Sequence, residues 1–378
     1  MYRMFRQPTA AAVCIIAIAS MTPPTFAQDE QEKQPLEEWE RRELKPLVDA
    51  VGAALQGDLV QTVNPFDFGP DFLKGAEGNT YVPFTLTVDP SKIGESTVLM
   101  YLVVIPHVSG EQAEPEDTSR AYTPGAAEEL IDARRRELFG ATTESSEDLF
   151  ASAAFEDAFF IDVAEGRSAD GPVEIHRAFH APGGSYDVYI ALRDSKGEDA
   201  DEDDLAESAV MMLKQEVMVP DLWSGELQTS SIIIARVVEP LAAPLTPEEQ
   251  LENPYTIGGT RIVPKRDTDF GKDEELSVIM LIYNPQLAGE QKPDLTVDYT
   301  FHKSAEEGEE FFNRTTPQEF NAQTLPPAFD IAAGHQIVAG QSVPLASFPA
   351  GSYRLEIKVS DNASGQTLQR DVNFIVNE

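Results

Sequence analysis

Five histidines, His107, His176, His180, His302 and His335, are the side chains here best suited to proton transfer or metal binding near neutral pH. His176 and His180, in IHRAFH, have the spacing that would place two imidazoles on one ion if the segment were helical. The segment instead precedes a strand-like phrase and reads as extended, and four residues of strand span roughly 13 Å. One ion cannot bridge that gap, so these histidines are expected at the surface or at loop edges. The other concentration of ligand-type groups is Glu198, Asp199, Asp201, Glu202, Asp203 and Asp204. Calcium takes six to eight oxygens, which makes Asp199, Asp201, Asp203 and Asp204 candidate calcium ligands. The run lacks the spacing of a helix-loop-helix calcium loop, and acidic blocks more often stay solvated. No other cofactor is expected. The sequence has no Gly-x-Ser-x-Gly elbow, His-Glu-x-x-His, phosphate-cradling loop or dinucleotide fingerprint. A non-catalytic protein is therefore expected.

The elements that must hold these groups are announced by a repeated phrase. PGGSYDVYIALRD (182–194) returns as PAGSYRLEIKVSD (349–361), the two tyrosines 167 positions apart. Tyr353, Leu355, Ile357 and Val359 alternate with polar residues, as in a half-buried strand, and Tyr186, Val188, Ile190 and Leu192 take the inward part in the first copy. A tyrosine entering a strand after a Pro-x-Gly-Ser corner is the signature of a tyrosine corner, its hydroxyl bonding back to nearby backbone. Tyr186 and Tyr353 are assigned that structural role. Each copy is followed by another candidate strand, KQEVMV or RDVNFIV, so the repeat marks the last two strands of two separate sandwiches.

The expected fold is therefore all-β: two Ig-like antiparallel β-sandwiches in tandem, with a helical insertion in the first and an N-terminal helical lead. The boundaries read as a signal peptide over 1–27, an acidic and helical lead over 28–60, a sandwich over 61–220 with its insertion over 109–149, a linker over 221–254 and a second sandwich over 255–378. Pro46 is expected to open a helix with Leu47, Val48, Val51, Ala54 and Leu55 on one face. Thr123 should cap the insertion's helix, and Thr246, Pro247 and Glu249 a short one. Three runs break the alternation: VLMYLVVI, SIIIARVV and SVIMLIY. Apolar residues on both faces mean that both faces are covered, by the protein's own elements or by a partner.

Arg3 and Arg6 precede an apolar run of about a dozen residues and a Thr-Phe-Ala cleavage site, the pattern of a secretory signal. No later segment reaches the ~18 apolar residues of a spanning helix. Cys14, the only cysteine, falls inside that run, so the mature chain would carry no disulfide. Removing two arginines and no acid takes the net charge from −37 to −39. Such a field repels nucleic acid and anionic membranes. The chain is expected in the periplasm or outside the cell of a bacterium, engaging a protein partner in the envelope.

LWSGELQTSSIIIARVVEPL, GGTRIVP, ELSVIMLIYNP and FPAGSYRLEIKVSD together resemble the C-terminal sandwich region of exported bacterial proteins, some of which carry a GWxTD module. The GWxTD motif itself is absent here, and the resemblance implies no reaction and no site residue. The function read from the sequence is a binding or structural component of the envelope. The alternatives are a carbohydrate-binding or carbohydrate-processing module, for which Trp39, Trp223, Tyr101 and Tyr189 would have to line up, and a calcium-dependent adhesion module.

Overall fold

A computed structural model of the chain describes residues 36–57, 64–94, 96–107, 153–164, 171–207, 209–305 and 308–378. The expected signal peptide and the insertion over 109–149 lie outside the described residues. The chain divides into two compact units between Asp221 and Leu222.

The N-terminal unit contains helix α1 (Glu38–Leu55), strands β1 (Asp67–Pro70), β2 (Leu73–Lys74), β3 (Thr80–Val88), β4 (Thr97–Pro106), β5 (Phe155–Asp162), β6 (Val173–Ala181) and β7 (Gly184–Asp194), a short helix α2 (Glu202–Glu207) and β8 (Met211–Val219). One sheet places β1 and β2 along one edge of β3 and β6 along the other, and the second runs β5-β4-β7-β8. Period-two alternation turns Val82, Phe84, Ile175 and Phe179 of the first sheet toward Met100, Leu102, Val188 and Ile190 of the second, forming one core.

The opposite face of β4 carries Leu99, Tyr101 and Val103, and α1 covers it with Leu44, Leu47 and Val51. The first two-faced run is thus explained by the protein's own helix. That helix does not open at Pro46 as expected. It starts at Glu38 behind a capping box of Glu37 and Glu40, with Pro46 in its interior. An interior proline costs about 3 kcal/mol. Leu44, Leu47 and Val51 are each fully buried, and at about 1.5–3 kcal/mol apiece they outweigh it.

The C-terminal unit contains β9 (Gln228–Thr229), β10 (Ile233–Pro240), helix α3 (Pro247–Glu252), β11 (Thr256–Ile257), β12 (Thr260–Pro264), β13 (Asp269–Phe270), β14 (Glu275–Tyr283), β15 (Leu295–Ala305), β16 (Gly308–Arg314), β17 (Gln318–Phe320), β18 (Ile337–Pro344), β19 (Gly351–Asp361) and β20 (Thr367–Val376). One sheet runs β11-β12-β10-β14-β18 with β9 also on β14, and the other β13-β20-β19-β15-β16 with β17 also on β15. β13 is parallel to β20. Thr246 caps α3 in a capping box with Glu249. The stretch 221–254, expected as a linker, instead supplies two strands of this unit. Ile232 and Ile234 pack on the main core, while Ile233 and Ala235 pack with Tyr255 and Ile262 on the other side. Packing on both faces had erased the alternation that marks a half-exposed strand.

The two units repeat one strand order. β3 and β6 face β4, β7 and β8 as β14 and β18 face β15, β19 and β20, while β5 extends the sheet of β4 and β16 that of β15. This is the Greek-key grammar of Ig-like sandwiches. Both repeated phrases fall at equivalent places, β7 beside β8 and β19 beside β20. The Tyr186 hydroxyl donates to the Pro182 carbonyl at 3.1 Å and the Tyr353 hydroxyl to the Pro349 carbonyl at 2.6 Å. The glycines serve differently. Gly351 has φ +145°, which side chains with a Cβ avoid, whereas a Cβ on Gly183 would lie 2.8 Å from the Asp221 Cα. Removing one hydroxyl tests the corner. Tyr353→Phe should lose about 1 kcal/mol in denaturant unfolding and leave the secondary structure unchanged by circular dichroism.

Candidate functional site

In the acidic run, two of the four candidate carboxylates are engaged with the backbone. The Asp201 carboxylate accepts from the backbone N–H groups of Asp203 and Asp204 at 3.0 and 2.9 Å, and Asp204 accepts from the Asp201 N–H at 3.2 Å. The two side chains are turned onto the first turn of α2, while Asp199 and Asp203 are exposed to solvent beside them. Among the described residues, no group of three or more His, Cys, Asp or Glu is placed to hold a metal ion.

The histidines are dispersed. His176 and His180 share one face of extended β6, the first with Nδ1 3.0 Å from Thr85 Oγ1 and the second 5.0 Å ring to ring from Tyr81. His180 is half-buried at the penultimate position of β6, beside β3, and burial pushes its pKa down to about 4. His107 pairs with Asp187 at 3.0 Å, and His335 Nδ1 accepts from the Asp330 N–H at 2.9 Å.

One charged pair escaped the sequence reading. Glu43 of α1 and Arg193 of β7 are buried together, their closest charged atoms 3.5 Å apart. Glu43 Oε1 also accepts from the N–H groups of Lys196 and Gly197, both at 2.7 Å. Burial lowers the Arg193 pKa against the opposing pull of Glu43. The arrangement joins α1 to the turn that opens the acidic hairpin. With both side chains sealed from solvent it is a structural clasp. Its one sequence signal is that Arg193 stands where the second copy of the phrase has Ser360.

The exposed chemistry lies on the outer face of the C-terminal sheet that contains β15 and β19. Arg354 of β19 donates through Nε and Nη2 to Glu309, and through Nη1 to Glu356 at 3.1 Å and to Asp371. The three carboxylates raise its pKa, Glu309 most strongly. His302 of β15 lies directly across from Arg354, with Nε2 3.9 Å from Glu356. Alternation alone places these groups together, since cross-strand partners share a face.

This polar face ends at β16, which pairs with β15 and forms an edge of the sheet. A bulge interrupts that pairing: Phe311 opposes His302 and Asn313 opposes Phe301, leaving Phe312 as the extra residue. Phe312 turns inward against Phe348 and Tyr353, with ring centroids 4.8 and 5.3 Å away. Phe311 stays on the outer side and is 63% exposed, flanked by exposed Glu309 and Glu310. Two adjacent phenylalanines therefore have opposite fates.

Comparison with known proteins adds little to this geometry. The sequence matches no family model, and a search of curated proteins finds no match. Solved structures that align include an alpha-2-macroglobulin mutant from Salmonella (10% identity, 84% of this chain, 17% of that chain, TM-score 0.19). Elastase-activated alpha-2-macroglobulin from Escherichia coli aligns at 8% identity, over 84% of this chain and 22% of that chain, with a TM-score of 0.21. A Bacteroides uniformis beta-glucuronidase aligns at 10% identity, over 78% of this chain and 26% of that chain, with a TM-score of 0.19. This chain spans about a fifth of the macroglobulin chains. The all-β fold rests on the sheets themselves.

Proposed function

We propose that the protein is a non-catalytic binding protein of the bacterial envelope, exported to the periplasm or beyond, and that the β16 edge around Phe311 meets a protein partner. The single observation behind this reading is the exposure of Phe311 on a strand that, among the described residues, is paired on one side only. Burying such a side chain on association is worth about 1.5–3 kcal/mol, and aromatic side chains are enriched where partners dock. The two-faced runs read from the sequence are used internally, under α1 and within the C-terminal unit, and part of the acidic run is turned onto α2.

The carbohydrate alternative loses its row of rings. Tyr101 and Tyr189 are buried beneath α1, and Trp39 meets Phe160 edge-on at 5.8 Å. No helix among the described residues is long and apolar enough to cross a membrane.

A photo-crosslinking residue tests the proposal. In the full chain expressed in a bacterial envelope, the crosslinker at Phe311 should give a discrete protein adduct. The same group at exposed Lys358, on β19 of the same unit, should not. No adduct at Phe311, or equal adducts at both positions, would remove the assignment. Phe311→Ala should change folding stability by no more than about 0.5 kcal/mol, so loss of the adduct partner could not be blamed on unfolding.

A further inference from the structure

Resting on that reading of β16, we propose that the partner enters as an extended, basic segment, which adds to the free edge of β16 as a further strand. Three observations converge.

The first is the edge itself. β16 is seven residues long and among the described residues pairs with β15 alone. A strand of that length spans roughly 23 Å, enough for an added strand to gain several main-chain hydrogen bonds. Proteins commonly blunt such edges with charged side chains, proline or a bulge, and β16 has two glutamates, Arg314 and the bulge at Phe312 but neither lysine nor proline. The other long edge strands with a bare apolar side chain each carry a lysine or a proline, β8 with Met218 having Lys214 and β18 with Val338 ending at Pro344.

The second is charge. Exposed Glu310 lies on β16 and exposed Glu319 on β17, which continues the same margin of β15, whereas Glu309 is already held by Arg354 and Arg314 stands at the far end of β16. The whole chain carries −37, and a second copy would bring the same field to the contact, which disfavours self-pairing. A segment bearing lysines or arginines meets the opposite condition. Its long side chains can reach the glutamates while its backbone runs alongside β16.

The third is the side-chain pattern. The bulge leaves Phe311 bare on the outer face, beside His302 and the Arg354 network. An alternating segment would set every second residue on that face, where one apolar side chain covers the Phe311 ring. The interaction is specified as extended, basic and alternately apolar, with a salt-sensitive affinity because its charges lie at the surface.

The test titrates a fluorescein-labelled peptide of alternating lysine and valine into the full chain, with a glutamate-valine peptide as counterpart, and follows anisotropy and backbone hydrogen exchange together. The lysine peptide should bind, slow exchange across 308–314 and weaken by about tenfold or more between low and physiological salt. Glu310→Lys should cut its affinity about tenfold, and Phe311→Ala by a similar factor, with thermal midpoints unchanged. The glutamate peptide should not bind. Binding without slower exchange at 308–314 would overturn strand addition. Equal binding of both peptides would overturn the basic character, as would self-association of the chain through this edge, read by sedimentation. If the lysine peptide fails while the crosslinker at Phe311 still gives its discrete adduct, this inference falls and the docking surface stands. Failure of both experiments removes both.

Discussion

Glu43→Ala should destabilise the N-terminal unit by about 3–5 kcal/mol, because it leaves the Arg193 guanidinium buried without its counter-charge. The pair is sealed on both sides, with Glu43 at 0% and Arg193 at 1% exposure, so water cannot replace the missing carboxylate. For a unit of this size the loss corresponds to a fall of roughly 10 °C in thermal midpoint. It should be read by hydrogen exchange across 64–221. Replacing both partners, Glu43→Met with Arg193→Met, distinguishes charge from anchoring. Well-packed apolar pairs often match buried ion pairs, so the charge penalty should vanish. What remains is the two backbone N–H groups of Lys196 and Gly197 that lose their acceptor, about 2 kcal/mol in total. A double variant as unstable as the single would show that anchoring the turn, rather than pairing the charges, is the main role of Glu43.

Phe374→Ala should cost the C-terminal unit about 3–5 kcal/mol. The ring is 1% exposed and stacks on Tyr353 at 5.3 Å, with Phe270, Phe301 and Phe348 within about 6 Å. These rings come from β13, β15, β19 and β20 of one sheet and from the turn before β19, so the void would be lined by five separate segments and no one of them can collapse into it. Urea unfolding followed by exchange across 222–378 provides the measurement. A loss under about 1 kcal/mol would mean that the aromatic cluster is not the unit's core. The contrast with Phe311→Ala is direct: the same residue type should matter greatly for stability at one position and hardly at all at the other.

What the sequence made legible follows from range. The repeated phrase could be read because strand alternation and the tyrosine corner are encoded within a dozen residues, and both copies form a hairpin with the strand that follows. The two-faced runs announced that they were covered but not by what. The cover over β4 is α1, brought in by chain folding. The start of α1 was misread because Pro46 resembles a first-turn residue, while glutamates at Glu37, Glu38 and Glu40 offer several equivalent caps. SIIIARVV was taken for a linker because a strand packed on both faces loses its period. The Glu43–Arg193 clasp joins residues 150 positions apart in sequence, and neither stands out in an acidic lead or an alternating strand. Which of Phe311 and Phe312 faces out depends on a bulge whose register is set by β15.

The clasp also imposes an order of events on a chain made from its N-terminus. Glu43 emerges 153 residues before Lys196, from whose N–H it accepts, so α1 is made well before the strand and turn that hold it down. During that interval Leu44, Leu47 and Val51 have no sheet to cover, and the helix is an unprotected apolar surface. Completion of the N-terminal sandwich is therefore a late event triggered by arrival of Arg193 and the turn behind it. A nascent chain halted just short of Gly197 should present α1 to chaperones or proteases, and one extended a few dozen residues further should hide it.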